Sequence, residues 1–138
     1  MVEIEYMHVC DYAFQGNNGK ACLIGIFQNI NAPAFPFVLP LMAVAVQLQA
    51  AASEPIQLKI ELTRPNGEVM VRTEIEVMAS PDGRAFVAAN MLTTTFQELG
   101  RYVVKVSSGA RVLASHALGV QKVGGAHEQG GHGPTILH

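Results

Sequence analysis

The chain has 138 residues, enough for one domain. Hydrophobic residues make up 49% of it and charged residues only 14%, with a net charge of −2. A soluble domain ordinarily carries about 25% charged residues, so part of the folded surface is expected to lie against copies of the chain or a protein partner. The cations are scattered singly from Lys20 to Lys122 and there is no Trp. Nucleic-acid binding needs clustered cations to neutralise phosphates and is not expected. Met1-Val2-Glu3-Ile4-Glu5 places acids where a secretion signal needs cations. The most apolar run, Ala32 to Val46, is broken by Pro33, Pro36 and Pro40, and it falls short of the ~20 residues of a membrane helix. A cytoplasmic chain without a membrane partner is the expectation.

Val2 to Val9 alternates apolar and polar residues, as a strand with one buried face does. Val9 to Phe14 and Ala21 to Phe27 flank a turn of Gly16, Asn17, Asn18 and Gly19, the clearest hairpin signal in the chain. The second run, Ala21 to Ile30, is apolar on both faces and reads as a strand in mid-sheet. Gly25 inside it predicts a bulge or a close backbone approach. Asn31 to Pro40 carries three prolines and is expected to be irregular, crossing between sheets, with Phe35 and Phe37 pinning it to the core edge. Leu41 to Leu48, with Val44 and Val46 alternating with alanines, reads as a buried strand.

Ile56 to Leu62 alternates without error. Arg64-Pro65-Asn66-Gly67 supplies Pro, Asn and Gly where a type I turn with a left-handed exit needs them. Val69 to Met78 is the return strand. Ser80-Pro81-Asp82-Gly83 has the same turn chemistry, and Arg84 to Met91 follows as a strand. Thr93 to Leu99 reads as a connection, Gly100 to Val106 and Val112 to Val120 as the last two strands. About eight strands joined by tight turns, with no helical periodicity, predict an all-β antiparallel β-sandwich over residues 1–121. Residues 122–138 form an irregular Gly- and His-rich tail of linker composition.

Two resemblances add to this reading. Phe96-x-x-Leu99-Gly100-Arg101-Tyr102-x-Val104-x-Val106 resembles the late hairpin of immunoglobulin-like domains, which implies a tyrosine hydroxyl bonded back to a nearby backbone group. Cys10-Asp11-Tyr12-Ala13, Gly19-Lys20, Ile24-Gly25-Ile26-Phe27, Ala34-x-Pro36 and Pro40 resemble a family of small bacterial proteins classed only as a domain of unknown function. That likeness runs from about Glu5 to Gly119. It implies a small sandwich and carries no catalytic residues.

The opening hairpin gathers a thiol, a carboxylate and a phenol. Cys10 and Cys22 face each other only if the turn is centred at Gly16; a centre at Asn17-Asn18 separates them. Beside Asp11, Cys10 is a poor nucleophile, because a carboxylate raises a thiol pKa. Asp11 is expected to hold loop backbone N–H groups, and Tyr12 to be a core or interface aromatic. Cys10, Asp11, Tyr12 and Gly19 are therefore read as structural. His8 and His116 read as ordinary strand residues, and the spacing of His127, His132 and His138 fits no metal site. No phosphate loop or nucleophile motif is present.

The expectation is a non-catalytic module without cofactor or metal, acting by self-association or by docking on a protein partner. In it the tail reaches over a neighbouring copy through His127, His132, His138 and the apolar anchors Ile136 and Leu137. The alternatives are a small-molecule or carbohydrate pocket at the loop end near Asp11 and Phe35, and an enzyme of unrecognised type.

Overall fold

The computed structural model describes residues 2–123. The tail residues His127, His132, Ile136, Leu137 and His138 lie outside the described residues. Nine strands follow one another: β1 (Glu3–Gln15), β2 (Ala21–Ile26), β3 (Asn29–Ala32), β4 (Phe37–Gln49), β5 (Pro55–Thr63), β6 (Val69–Met78), β7 (Arg84–Phe96), β8 (Gly100–Ser108) and β9 (Arg111–Lys122). They make two sheets, ordered β2-β1-β4-β7 and β3-β9-β8-β5-β6. All pairings are antiparallel except β3 with β9, which run parallel. The fold is the expected immunoglobulin-like β-sandwich, with nine strands where the sequence suggested about eight.

The extra strand comes from the run Ala21 to Ile30, which is two strands in two sheets. The chain leaves the four-stranded sheet at Phe27, whose N–H bonds the Val9 carbonyl at 2.9 Å, and enters the other sheet as β3. The chain then returns at Pro33–Pro36 to begin β4, so it crosses twice rather than once. Pro40 lies within β4, where its missing N–H is tolerated: β1 pairs with β4 only from Ala43 onward, so Pro40 has a neighbour on one side alone. The threonines after Met91 extend β7 to Phe96, opposite Phe37.

Three hairpins close in the same way. Gly16, Arg64 and Ser80 each donate an N–H to the carbonyl four residues on. Each also accepts the N–H of a glycine three residues on: Gly19, Gly67 and Gly83. Those glycines have φ of 81°, 91° and 82°, the left-handed exit that the Asn-Gly and Asp-Gly pairs announced. Asn18 and Asn66 fold their side-chain oxygens back onto the N–H of Lys20 and Glu68.

The main core lies between the sheets. Val44, Val46, Leu48, Val87 and Ala89 face Ile56, Ile60, Leu62, Val104, Val106 and Leu118. Phe96 meets Tyr102 edge to face at 5.1 Å. The Tyr102 hydroxyl donates to the Glu98 carbonyl at 2.7 Å, the backward bond that the immunoglobulin-like resemblance implied.

Candidate functional site

The two sheets differ on their outer faces. The five-stranded sheet alternates cleanly: Lys59 stands opposite Glu74 and Glu61 opposite Arg72, with Lys105 on the other side of Glu61. Glu61 is only 5% exposed, and its carboxylate accepts from Arg72 Nε at 3.0 Å. On the four-stranded sheet, the charged residues of the strands are Glu3, Glu5, Asp11 and Arg84, and Arg84 pairs with Glu5 at 3.7 Å. Its outer face is poor in charge, with Gln47 and Asn90 among alanines and Phe86.

Part of that face is covered by the chain itself. β1 pairs with β4 only as far as Cys10 opposite Ala43. Beyond Cys10, β1 continues with β2 alone, and the hairpin folds back over the sheet. Three observations place it there. Ala13 and Cys10, both fully buried, share one cluster with Ala43 and Ala45, against which Leu23, Phe86 and Ala88 pack. Asn90 on β7 donates its side-chain N–H to the Ala13 carbonyl at 3.3 Å, reaching across β4. A cleft of ≈ 480 Å³ is lined by Gln15, Gly19 and Ala21 of the hairpin tip and by Gln47, Arg84 and Phe86 of the sheet.

The fold-back has a hinge. Cys10 pairs with Ile26 and Tyr12 with Ile24, and the bend falls at Asp11 and Gly25 between them. Strict alternation would send Cys10 and Ala13 to opposite faces; the kink brings both onto the sheet. Gly25 has φ of 70°, and a Cβ there would stand 2.7 Å from the Asp11 Cγ. The carboxylate side chain thus lies across the bare Gly25 Cα. The sequence predicted a bulge or a close backbone approach at Gly25; what approaches it is the Asp11 side chain. Ala43 and Ala45 are small because the folded-back arm rests on them, while Val44 and Val46 fill the core on the other side.

The four hairpin residues singled out in sequence fall into place on this arm. Cys10 is fully buried, and burial, reinforced by the Asp11 charge, pushes its thiol above the usual 9.0, against the lowering effect of the Tyr12 backbone. Its Sγ–H donates to the Tyr12 carbonyl at 3.5 Å. Asp11 occupies the kink. Gly19 makes the turn exit. Tyr12 is not in the core: it is 41% exposed and lies 5.6 Å from the ring of Phe14, itself 38% exposed. The turn is centred at Asn18, so Cys22 stands opposite Phe14 and both cysteines are free.

β2 is an edge strand, not the mid-sheet strand expected from its two apolar faces. One face, through Leu23, packs on the sheet. The other joins Cys22 and Ile24 to Tyr12 and Phe14 and is open, with Ile24 54% exposed. Ile26 at the kink and Leu92 on β7 are also exposed. This surface was missed in sequence, since periodicity alone does not separate a doubly buried strand from one that folds back. The alanine pair on β4 was the available signal.

Phe35 and Phe37 are partly buried against the main core, pinning the segment to its edge as expected. Among the described residues no group of three or more His, Cys, Asp or Glu side chains is arranged to hold a metal ion. Nor is any helix among them long and apolar enough to cross a membrane.

Comparison with solved structures shows the fold. The C-terminal domain of wzt is similar with a TM-score of 0.56 at 11% identity, over 88% of this chain and 74% of that one. The alkylpurine DNA glycosylase AlkC of Pseudomonas fluorescens, solved bound to DNA containing an abasic site analog, is similar with a TM-score of 0.52 at 14% identity, over 87% of this chain. The β-D-glucoside glucohydrolase of Trichoderma reesei gives 0.51 at 10% identity, also over 87% of this chain. The chain spans only 30% of the glycosylase and 19% of the glucohydrolase. No curated protein matches it. The model of a family of unknown function (DUF6941) matches residues 5–121, and the chain belongs to that family.

Proposed function

We propose that the chain is a non-catalytic β-sandwich module that works by protein docking, on a copy of itself or on a partner, through the outer face of the folded-back hairpin. The observation that carries this reading is the contrast between the two outer faces. One sheet sets opposite charges across its strands, with Val69, Met78 and Val112 the large apolar side chains exposed on it. On the other sheet, the folded-back hairpin presents Tyr12, Phe14 and Ile24 on one open face, and Ile26 and Leu92 are exposed as well. Exposed aromatic and aliphatic residues gathered on one face are what an interface core requires. The low charge content of the whole chain is thereby assigned to one sheet. The tail residues Ile136 and Leu137 would add to such a contact.

The reading includes no catalytic step. Cys10 is buried with its thiol held protonated by burial, and an unreactive buried thiol is the structural kind. A photo-crosslinking amino acid placed at position 14 or 24 tests the proposal in cells, with position 74 on the opposite sheet as the control. Protein adducts from 14 and 24 but not from 74 are expected. Equal yields at all three positions would overturn the assignment of the docking face.

A further inference from the structure

We infer that the cleft between β6 and β7 is a binding site for a small uncharged molecule carrying several hydroxyl groups. The inference goes beyond the docking reading and does not rest on it.

β6 and β7 are joined by the tight turn at Ser80–Gly83, yet each is the last strand of a different sheet. They therefore part along their length, and a cleft of ≈ 490 Å³ opens between them. That volume lies within the range of small-molecule sites, about 300–1,000 Å³. The opposite side of the sandwich, where β1 approaches β9, is closed. There Arg111 Nη1 donates to the Val2 carbonyl at 2.7 Å, and Ile4, Met7 and Leu113 pack on the main core.

The inward rows of the two strands turn polar where the cleft opens. Thr73 shares its face of β6 with Val71, Ile75 and Val77 and stands opposite the fully buried Ile60. Thr94 on β7 stands opposite Leu39 of the main core and is only 4% exposed. Both threonines line the cleft. Among the described residues, no side-chain hydrogen bond engages either hydroxyl. A hydroxyl shielded from water, as that of Thr94 is, costs free energy unless it finds a partner. A molecule in the cleft supplies one.

The rest of the lining selects the class of ligand. Thr93, Thr95 and Gln97 add groups that both donate and accept, and ligand hydroxyls match such groups. The charged side chains on the cleft, Arg64 and Glu68, pair with each other at 3.4 Å and leave no net charge to hold an ion. An apolar ligand would leave the threonines without partners. An extended peptide fits the backbone poorly: Thr93 has φ of 55°, so the free edge of β7 bends where a straight strand would have to run.

Titration of the isotope-labelled chain with six-membered rings, followed through amide shifts by NMR, tests this. myo-Inositol carries neutral hydroxyls, cyclohexanecarboxylate an anion and cyclohexylammonium a cation. myo-Inositol is expected to give saturable shifts at residues 69–73 and 90–97, and the charged rings none there. Thr94→Val keeps the side-chain shape and removes the hydroxyl. It should fold as the wild type does and weaken the inositol affinity about fivefold, the worth of one hydrogen bond. Gln97→Ala, at an exposed position, should weaken it as well, whereas Glu74→Gln on the outer face keeps it. The inference is overturned by the absence of saturable shifts from myo-inositol, glucose and sucrose alike. Shifts centred instead on residues 15–21 and 80–86, tighter binding of either charged ring, or an affinity unmoved by Thr94→Val also overturn it.

Discussion

Replacing Gly25 by alanine probes the hinge that holds the arm down. Two costs combine. A non-glycine residue at φ of 70° costs ~1–2 kcal/mol. The new methyl would also overlap the Asp11 side chain, at 2.7 Å from its Cγ, and overpacking of this kind costs ~1–3 kcal/mol. The expected loss is therefore ~2–5 kcal/mol in a urea unfolding curve. Gly19→Ala is the control, because Gly19 has φ of 81° but open space where its Cβ would go; it should lose only the conformational part, ~1 kcal/mol. Gly25→Ala combined with Asp11→Ala removes the overlap, so the pair should be less damaging than the sum of the singles by ~1 kcal/mol or more. Equal losses for Gly19→Ala and Gly25→Ala, with additive double mutants, would refute the close packing of Asp11 on Gly25.

Ala45→Leu should lift the arm by overfilling the space beneath it, at a cost of ~1–3 kcal/mol, with faster hydrogen exchange confined to residues 12–24. Tyr102→Phe removes the hydroxyl bond to the Glu98 carbonyl and leaves that carbonyl short of a donor, so unfolding measurements should show a loss of ~1–2 kcal/mol. The pH dependence follows from the acids that burial shifts upward. Burial raises Cys10 above 9.0 and Tyr102 above 10.0 in the fold, and Tyr6 shifts the same way as Tyr102. The unfolded chain therefore gives up these protons first. Stability should be intact below pH 9.0 and fall as the pH rises through 9.0 and then 10.0; Cys10→Ala should abolish the first part of the decline. Maleimide should label Cys22 in the native protein and Cys10 only on unfolding.

Much of the sandwich was legible because its signals are local. The turn exits at Gly67 and Gly83 followed from the residues before them, the strand Ile56–Leu62 from its alternation, and the Tyr102 bond from a familiar pattern of residues. The kink was not legible. Its signature is a broken alternation between Cys10 and Ala13, and its cause is a contact between Asp11 and Gly25 across two strands. Sequence spacing marked Gly25 but could not name what approaches it. For the same reason β2 was read as a mid-sheet strand. Two apolar faces mean burial on both sides only when the strand stays in plane; here one face is turned onto Ala43 and Ala45 and the other is left open. The residues that carried the family resemblance in the opening stretch include those that build this corner: Cys10, Asp11, Ala13 and Gly25.

The central claim is that the open face of the arm is where this protein meets another. The most direct measurement is the yield of protein adducts from a photo-crosslinker at Phe14, set against the yield at Glu74, in cells making the full chain. The account predicts adducts at position 14 and few at position 74. Comparable yields at the two positions, or adducts from position 74 alone, would contradict it.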